Sequence, residues 1–82
     1  MDRISKFLEK LNKKQRNHIF LEILPKISNL NFDGLDIKPL KNYKNYFRVR
    51  FGSVRIIFYM DEKKGVGVIS NIAFRKDAYK DI

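Results

Sequence analysis

Apolar residues recur at helical spacing twice in the first third of the chain, and a capping residue precedes each set. Asp2 precedes the first set, and Asn12, with Gln15 as its capping-box partner, precedes the second. The two sets are Ile4, Phe7, Leu8 and Leu11, and then Ile19, Phe20, Ile23, Leu24 and Ile27. Because proline lacks an N–H, Pro25 predicts a kink or an early end of the second helix near Leu24.

Three runs with the alternation of β-strands fill the second half: Tyr46–Phe51, Val54–Met60 and Val66–Ala73. Gly52-Ser53 is a two-residue hairpin loop in which glycine supplies a positive φ. Lys38-Pro39 predicts an extended connection rather than the centre of a strand. The pattern predicts an α+β fold, with an N-terminal helical hairpin packed on a three- to four-stranded antiparallel sheet and a short C-terminal helical segment.

The loop length fixes which hairpin residues lie opposite one another. With two loop residues, Arg50 faces Arg55, and alternation places Arg48 on the same side. The other side is apolar and is expected to meet the helices: Phe47, Val49, Phe51, Val54, Ile56 and Phe58. The arginine side also carries Tyr46, Ile57 and Tyr59 and is expected to hold no acid. Like charges placed opposite each other destabilise a sheet, so this side is interpreted as an anion-binding surface.

Composition limits the class of protein. A chain of 82 residues is expected to form a single domain, residues 1–82, and the absence of cysteine excludes disulfides and thiolate metal sites. The longest apolar run, Ile56–Met60, is too short to cross a membrane, so we expect a cytoplasmic protein with no membrane partner.

The charge indicates the kind of partner. Lys and Arg number 18 against 9 acids, which gives a net charge of +9 and favours polyanionic partners. An AT-rich genome also raises the lysine content. Between Ile37 and Met60, however, basic residues stand without any acid: Lys38, Lys41, Lys44, Arg48, Arg50 and Arg55.

The chemistry available for catalysis is narrow. His18 is the only histidine and no spaced carboxylate pair accompanies it, so we expect no metal, no cofactor and no Ser-His or Cys-His site. In the last segment, Ile72 and Phe74 are core candidates, which places Arg75 on the arginine side. Tyr79 lies one helical turn beyond Arg75 and either reaches the same surface or packs as a C-terminal aromatic.

These residues resemble the RelE/ParE superfamily of type II toxins over almost the whole chain. The resemblance rests on an aromatic-R-V-R-x-G-x-x-R-I-I string at Phe47–Ile57 and an R-x-x-x-Y ending at Arg75–Tyr79. It implies the toxin of a toxin–antitoxin system, held by an acidic cognate antitoxin. RelE-like members are endoribonucleases (mRNA interferases) that bind messenger RNA on the ribosome, cut it and so inhibit translation.

The resemblance also implies roles for single residues. Arg48 and Arg50 would hold the RNA backbone, and Lys44 is expected to bind RNA with them. Arg55 would contact the scissile phosphate with Arg75, and Tyr79 would orient or activate the nucleophile, which is the RNA's own 2′-OH. Arginine remains protonated, which suits it to stabilising charge on the phosphate. Tyr79 is either a base, if nearby cations lower its pKa, or a residue that stacks on a nucleobase.

Three departures from the family pattern leave alternatives open. RelE-like chains normally open with a β-strand, whereas this sequence opens with a helix, so the sheet is expected to lack that edge strand. Ala73 and Phe74 stand where some members carry a basic residue and a histidine. The alternatives are a ParE-like toxin that acts on DNA gyrase without cutting RNA, and an attenuated nucleic-acid-binding module on the same fold.

Overall fold

The computed structural model describes residues 3–77 of the chain, with side chains from residue 4 to residue 76. It begins with helix α1, Arg3–Leu8, and continues with helix α2, Lys13–His18. The predicted cap of the second helix is confirmed, because the side-chain oxygen of Asn12 accepts a hydrogen bond from the Gln15 N–H at 2.8 Å. Asp2, the predicted cap of the first helix, lies outside the described residues.

The second helix does not end at Leu24. A π-helical turn, Ile19–Ile23, follows α2 directly, and helix α3 continues from Leu24 to Ser28. The Leu24 N–H donates to the Ile19 carbonyl five residues back, and Pro25, which has no N–H to donate, follows directly after this wide turn. Of the predicted kink or early end, the early end is therefore wrong.

The same turn changes which side chains the helix buries. Ile19 and Ile23 are buried as predicted, but Phe20 is 61% exposed, as is its neighbour Leu21 at 63%. Placing Phe20 in the apolar stripe was therefore wrong, since that stripe assumed 3.6 residues in every turn.

The sheet has four antiparallel strands in the order β1-β2-β3-β4. They are β1, Asp36–Pro39; β2, Tyr46–Phe51; β3, Val54–Asp61; and β4, Val66–Phe74. The three predicted strands are confirmed to within one residue at their ends. The extended connection expected at Lys38-Pro39 is instead an edge strand, since β1 pairs with β2 throughout its length. An edge position tolerates Pro39, which has no N–H to donate. A short 3₁₀ turn, Arg75–Asp77, follows β4.

The core lies between the helices and the predicted apolar side of the sheet. Val49, Val54, Ile56 and Phe58 are at most 1% exposed and pack with helical residues. Among the other core residues are Phe7 and Leu8 of α1, Leu11 of the connection between α1 and α2, and Ile19, Ile23 and Ile27 of the helix that follows. Gly67 of β4 lies directly under α3, because a Cβ there would stand 2.3 Å from the Ile27 carbonyl oxygen. No helix within residues 3–77 has the length and apolar character needed to cross a membrane.

Candidate functional site

The sheet side turned away from the helices carries a row of basic residues, which we call the arginine face: Lys38, Arg48, Arg50 and Arg55. The predicted hairpin register is confirmed, with Arg50 opposite Arg55 and Arg48 opposite Ile57. Strand β1 adds Lys38 directly opposite Arg48. Since facing residues in antiparallel strands share a side, these four cations lie on one surface.

An acid also lies on the arginine face, contrary to the prediction that it has none. Asp36 stands opposite Arg50 in the β1–β2 pairing, and its Oδ2 lies 2.6 Å from Arg50 Nε. Both side chains remain about half exposed, at 41% and 52%. An ion pair of this exposure contributes little stability, but it places a negative charge beside Arg50.

Arg55 is buried rather than exposed. Its residue surface is only 5% accessible, and its Nη1 donates to the carbonyls of Gly52, at 2.8 Å, and Val54, at 3.1 Å. A guanidinium that bonds to backbone carbonyls holds the hairpin turn in place. The two facing arginines thus direct their donors apart, Arg50 to Asp36 and Arg55 to the turn, which relieves the repulsion expected between them.

The end of β4 meets the hairpin turn at the same edge of the face. The Arg75 N–H donates to the Ser53 carbonyl at 2.7 Å, and Ala73 pairs with Arg55. The Arg75 side chain is exposed. Ile72 is buried, and Phe74 packs against the core as expected. Tyr79 lies outside the described residues, so its two possible roles remain predictions.

Lys44 stands at the opposite end of the face from Arg55. It is exposed in the loop between β1 and β2, whereas Arg50, Arg55 and Arg75 cluster around the Gly52-Ser53 turn. Arg48 lies midway and is half-buried. The predicted binding residues therefore form a row along the hairpin rather than one compact cluster.

Sequence reasoning missed two residues of this surface, Asp36 and Lys38. Both belong to β1, and the alternation of Leu35, Ile37 and polar neighbours was a usable strand signal. Pro39 disfavours a strand, because it has no N–H to donate. Within the described residues, no three His, Cys, Asp or Glu side chains are arranged to hold a metal ion.

The helix side carries a separate open groove of about 450 Å³, lined by residues of α2 together with Leu21, Glu22 and Phe51. His18 stacks on Phe51 there, with ring centroids 4.8 Å apart. The histidine is exposed and packs on this aromatic ring.

The fold and the arginine face together define a small α+β protein with a cationic sheet surface. Its structure is similar to a chain of the crystal structure of the RelB–RelE antitoxin–toxin complex from Methanococcus jannaschii, with a TM-score of 0.71 and 30% sequence identity. The match covers 89% of this chain and 85% of that chain. The chain belongs to the RelB–RelE toxin–antitoxin family. No family model and no curated protein matches the sequence.

Proposed function

We propose that this chain is the toxin of its system, a RelE-like endoribonuclease that cuts messenger RNA on the ribosome and stops translation. The observation that carries the proposal is the row of cations on one sheet face, with Lys38 opposite Arg48 and Arg50 beside Arg55. A net charge of +9 gives the surface a long-range attraction for RNA. The RelB–RelE complex contains both a toxin and an antitoxin, and the cationic face favours the toxin for this chain.

The reaction proposed uses the RNA's own nucleophile. The 2′-oxygen attacks the adjacent phosphorus, the bond from phosphorus to the 5′-oxygen breaks, and the products are a 2′,3′-cyclic phosphate and a 5′-hydroxyl. Arg48 and Arg50 bind the backbone, and Arg75, which is exposed beside the hairpin turn, is proposed to stabilise charge on the phosphate. Tyr79 is proposed to hold the 2′-OH in line or to take its proton.

Arg55 differs from the other cations because it is buried. A side chain that is 5% exposed and donates to two carbonyls reaches a phosphate only after it is uncovered. We therefore propose that Arg55 acts first by holding the hairpin turn, and that contact with RNA follows a local opening of the site.

The burial of Arg55 also favours a second candidate, a nucleic-acid-binding module with little or no cleavage. Arg55 is buried, and the residue that pairs with it across β4 is the uncharged Ala73. On this face Lys38 is exposed and Arg48 is half-buried, whereas Arg55 is buried. Such a surface is better suited to binding RNA than to cutting it. A gyrase-directed toxin has no comparable observation in its favour.

Induced expression followed by mapping of messenger RNA 5′ ends tests the proposal. Cuts that follow the codon phase on translated messages support the nuclease, whereas intact transcripts with arrested growth contradict it. As a matched control, a purified ribosome complex is given a message with 2′-deoxyribose at the scissile nucleotide. This message is expected to bind and to remain uncut, since it has no nucleophile, and cleavage of it would contradict the mechanism.

The proposal also includes a protein partner and a cellular compartment. An unmasked toxin of this kind is lethal, so an acidic antitoxin is proposed to cover the arginine face or to displace the segment after Arg75. The toxin domain is proposed to span residues 1–82 and to act in the cytoplasm, where ribosomes are. Expression together with the neighbouring reading frames, followed by purification, is expected to recover a tight acidic partner. A well-tolerated chain that always purifies alone would contradict the toxin assignment.

A further inference from the structure

Three tyrosines gather at the end of the arginine face that lies away from the Gly52-Ser53 turn. Tyr46 of β2 stands directly opposite Tyr59 of β3, with ring centroids 5.4 Å apart and an angle of 40° between the rings. Tyr43, in the loop before β2, meets Tyr46 edge to face at 6.1 Å. Tyr43 is 48% exposed, and the other two are half-buried.

These rings are not part of the core. The helices cover the other side of the sheet, and the core cluster found within residues 3–77 includes none of the three tyrosines. A facing pair such as Tyr46 and Tyr59 stabilises a hairpin by itself. Tyr43 has no strand position, however, and keeps nearly half of its surface in solvent, so its packing onto Tyr46 extends the aromatic surface outward.

The surroundings of the tyrosines are cationic. Lys41 and Lys44 flank Tyr43 in the loop and are exposed. The next facing pair along the sheet is Lys38 and Arg48. One exposed and two half-buried aromatic rings set among positive charges match a ligand that carries both flat rings and negative charge, which is the chemistry of single-stranded nucleic acid.

We propose that Tyr43, Tyr46 and Tyr59 form a base-stacking platform for single-stranded RNA, continuous with the phosphate-binding row of the arginine face. The inference rests on the proposed function and adds to it a site for bases away from the cleavage point. Along β2, Tyr46 lies two residues from Arg48 and four from Arg50, which is about 7 Å and about 13 Å at the usual strand rise. RNA whose phosphates follow β2 from the hairpin turn thus brings its bases over the tyrosines. Single strands are required, because bases in a duplex do not offer their ring faces.

A comparison of two ligands tests the platform. Oligo(A) and an abasic ribose-phosphate oligomer of the same length carry equal charge, and only the first can stack. The wild-type protein is expected to bind oligo(A) about tenfold more tightly, an effect of the size of one stacked base. Tyr43→Ala is expected to reduce this preference several-fold while leaving affinity for the abasic oligomer unchanged. Tyr43→Phe keeps the ring and should retain the preference.

Two further variants act as controls for the platform. Arg48→Ala is expected to weaken binding of both oligomers by the same factor and to lower the salt dependence by about one charge. Phe20→Ala removes an aromatic ring that is 61% exposed on the helix side and is expected to change neither affinity.

The outcomes separate the platform from the function on which it rests. Equal wild-type affinity for both oligomers overturns the stacking platform and leaves RNA binding by the cations standing. Binding of neither oligomer also overturns the platform, and the mapping of codon-phased cuts then decides the proposed function by itself. A Tyr43→Ala variant that loses affinity for both oligomers equally also overturns the platform, since the ring would then be supporting the loop rather than a base.

Discussion

Asp36 and Arg50 form an ion pair across the β1–β2 edge of the sheet, with Arg50 Nε 2.6 Å from Asp36 Oδ2. The pair occupies the surface proposed to bind RNA, so a phosphate that approaches Arg50 competes with a carboxylate already in place. Both side chains are about half exposed, and an exchange of partners needs no rearrangement of the backbone. Asp36 is therefore expected to weaken the interaction of this face with anions.

Asp36→Asn is expected to raise affinity for single-stranded RNA severalfold and to increase the salt dependence of binding by about one charge, because Arg50 becomes available to a phosphate. Titrations with RNA at several salt concentrations measure both quantities. Glu22→Gln makes the same change in net charge at an exposed position in the groove on the helix side, and is expected to have a smaller effect. Equal gains from the two variants would show that only overall charge matters.

Arg55→Ala is expected to lower the free energy of unfolding by about 2–3 kcal/mol, because the carbonyls of Gly52 and Val54 lose a charged donor. In a chain of this size that is a fall in Tm of roughly 10–20 °C, measured by thermal denaturation. Arg48→Ala is the matched control on the same face and is expected to have the smaller effect on Tm. Cleavage assayed well below both transitions then separates stability from chemistry. An Arg55→Ala variant with unchanged Tm and abolished cleavage would contradict the role given to the turn.

Tyr79→Phe separates the two roles open for this residue, since it keeps the ring and removes the hydroxyl. If Tyr79 stacks on a base, the variant is expected to cut at close to the wild-type rate. If the oxygen takes or positions the 2′-OH proton, a loss of about 10²–10⁴-fold in the cleavage step is expected. Single-turnover cleavage of a ribosome-bound message at saturating enzyme measures the step. Tyr79→Leu removes the ring as well, and a variant that is as active as Tyr79→Phe would argue against stacking.

Gly67→Ala is expected to destabilise the fold through contact with the helical layer. Its Cβ would lie 2.3 Å from the Ile27 carbonyl oxygen, so either the strand or α3 has to move. Such a clash costs more than about 1 kcal/mol and lowers Tm by several degrees. Gly52→Ala is the comparison, because within residues 3–77 no atom beyond Gly52 and its chain neighbours lies within 4 Å of the position of an added Cβ there, and its positive φ of 58° is what opposes a side chain. A Gly67→Ala variant more stable than Gly52→Ala would contradict the close approach.

The hairpin could be predicted from sequence because its determinants are local. Two residues in the Gly52-Ser53 loop fix the register, and strict alternation from Phe47 to Phe58 assigns every side chain to a side. The helix cap at Asn12 is equally local. In such segments the pattern and the tertiary contacts agree.

The remaining features depend on contacts that a local pattern does not contain. Pro39 disfavours a strand unless the strand lies at an edge, and only the pairing with β2 reveals that edge. Because β1 was not predicted, Asp36 and its ion pair with Arg50 were not predicted either. For Arg55, alternation predicts the side of the sheet but not how deeply the side chain is covered. Phe20 was misplaced because helical periodicity assumes that every turn has the same number of residues.

The π turn at Ile19–Ile23 gives the helix a point at which chain length can change. An α-helix rotates by about 100° per residue, so deleting one residue from an ordinary helix turns everything beyond it away from its partners. Deletion of one of the exposed residues Phe20 or Leu21 would instead close the wide turn to an α turn, at the cost of strain opposite Pro25. Ile27 would keep its place against the sheet. Relatives that differ by one residue here can therefore share the same core, and the gap in an alignment belongs inside this helix rather than in a loop.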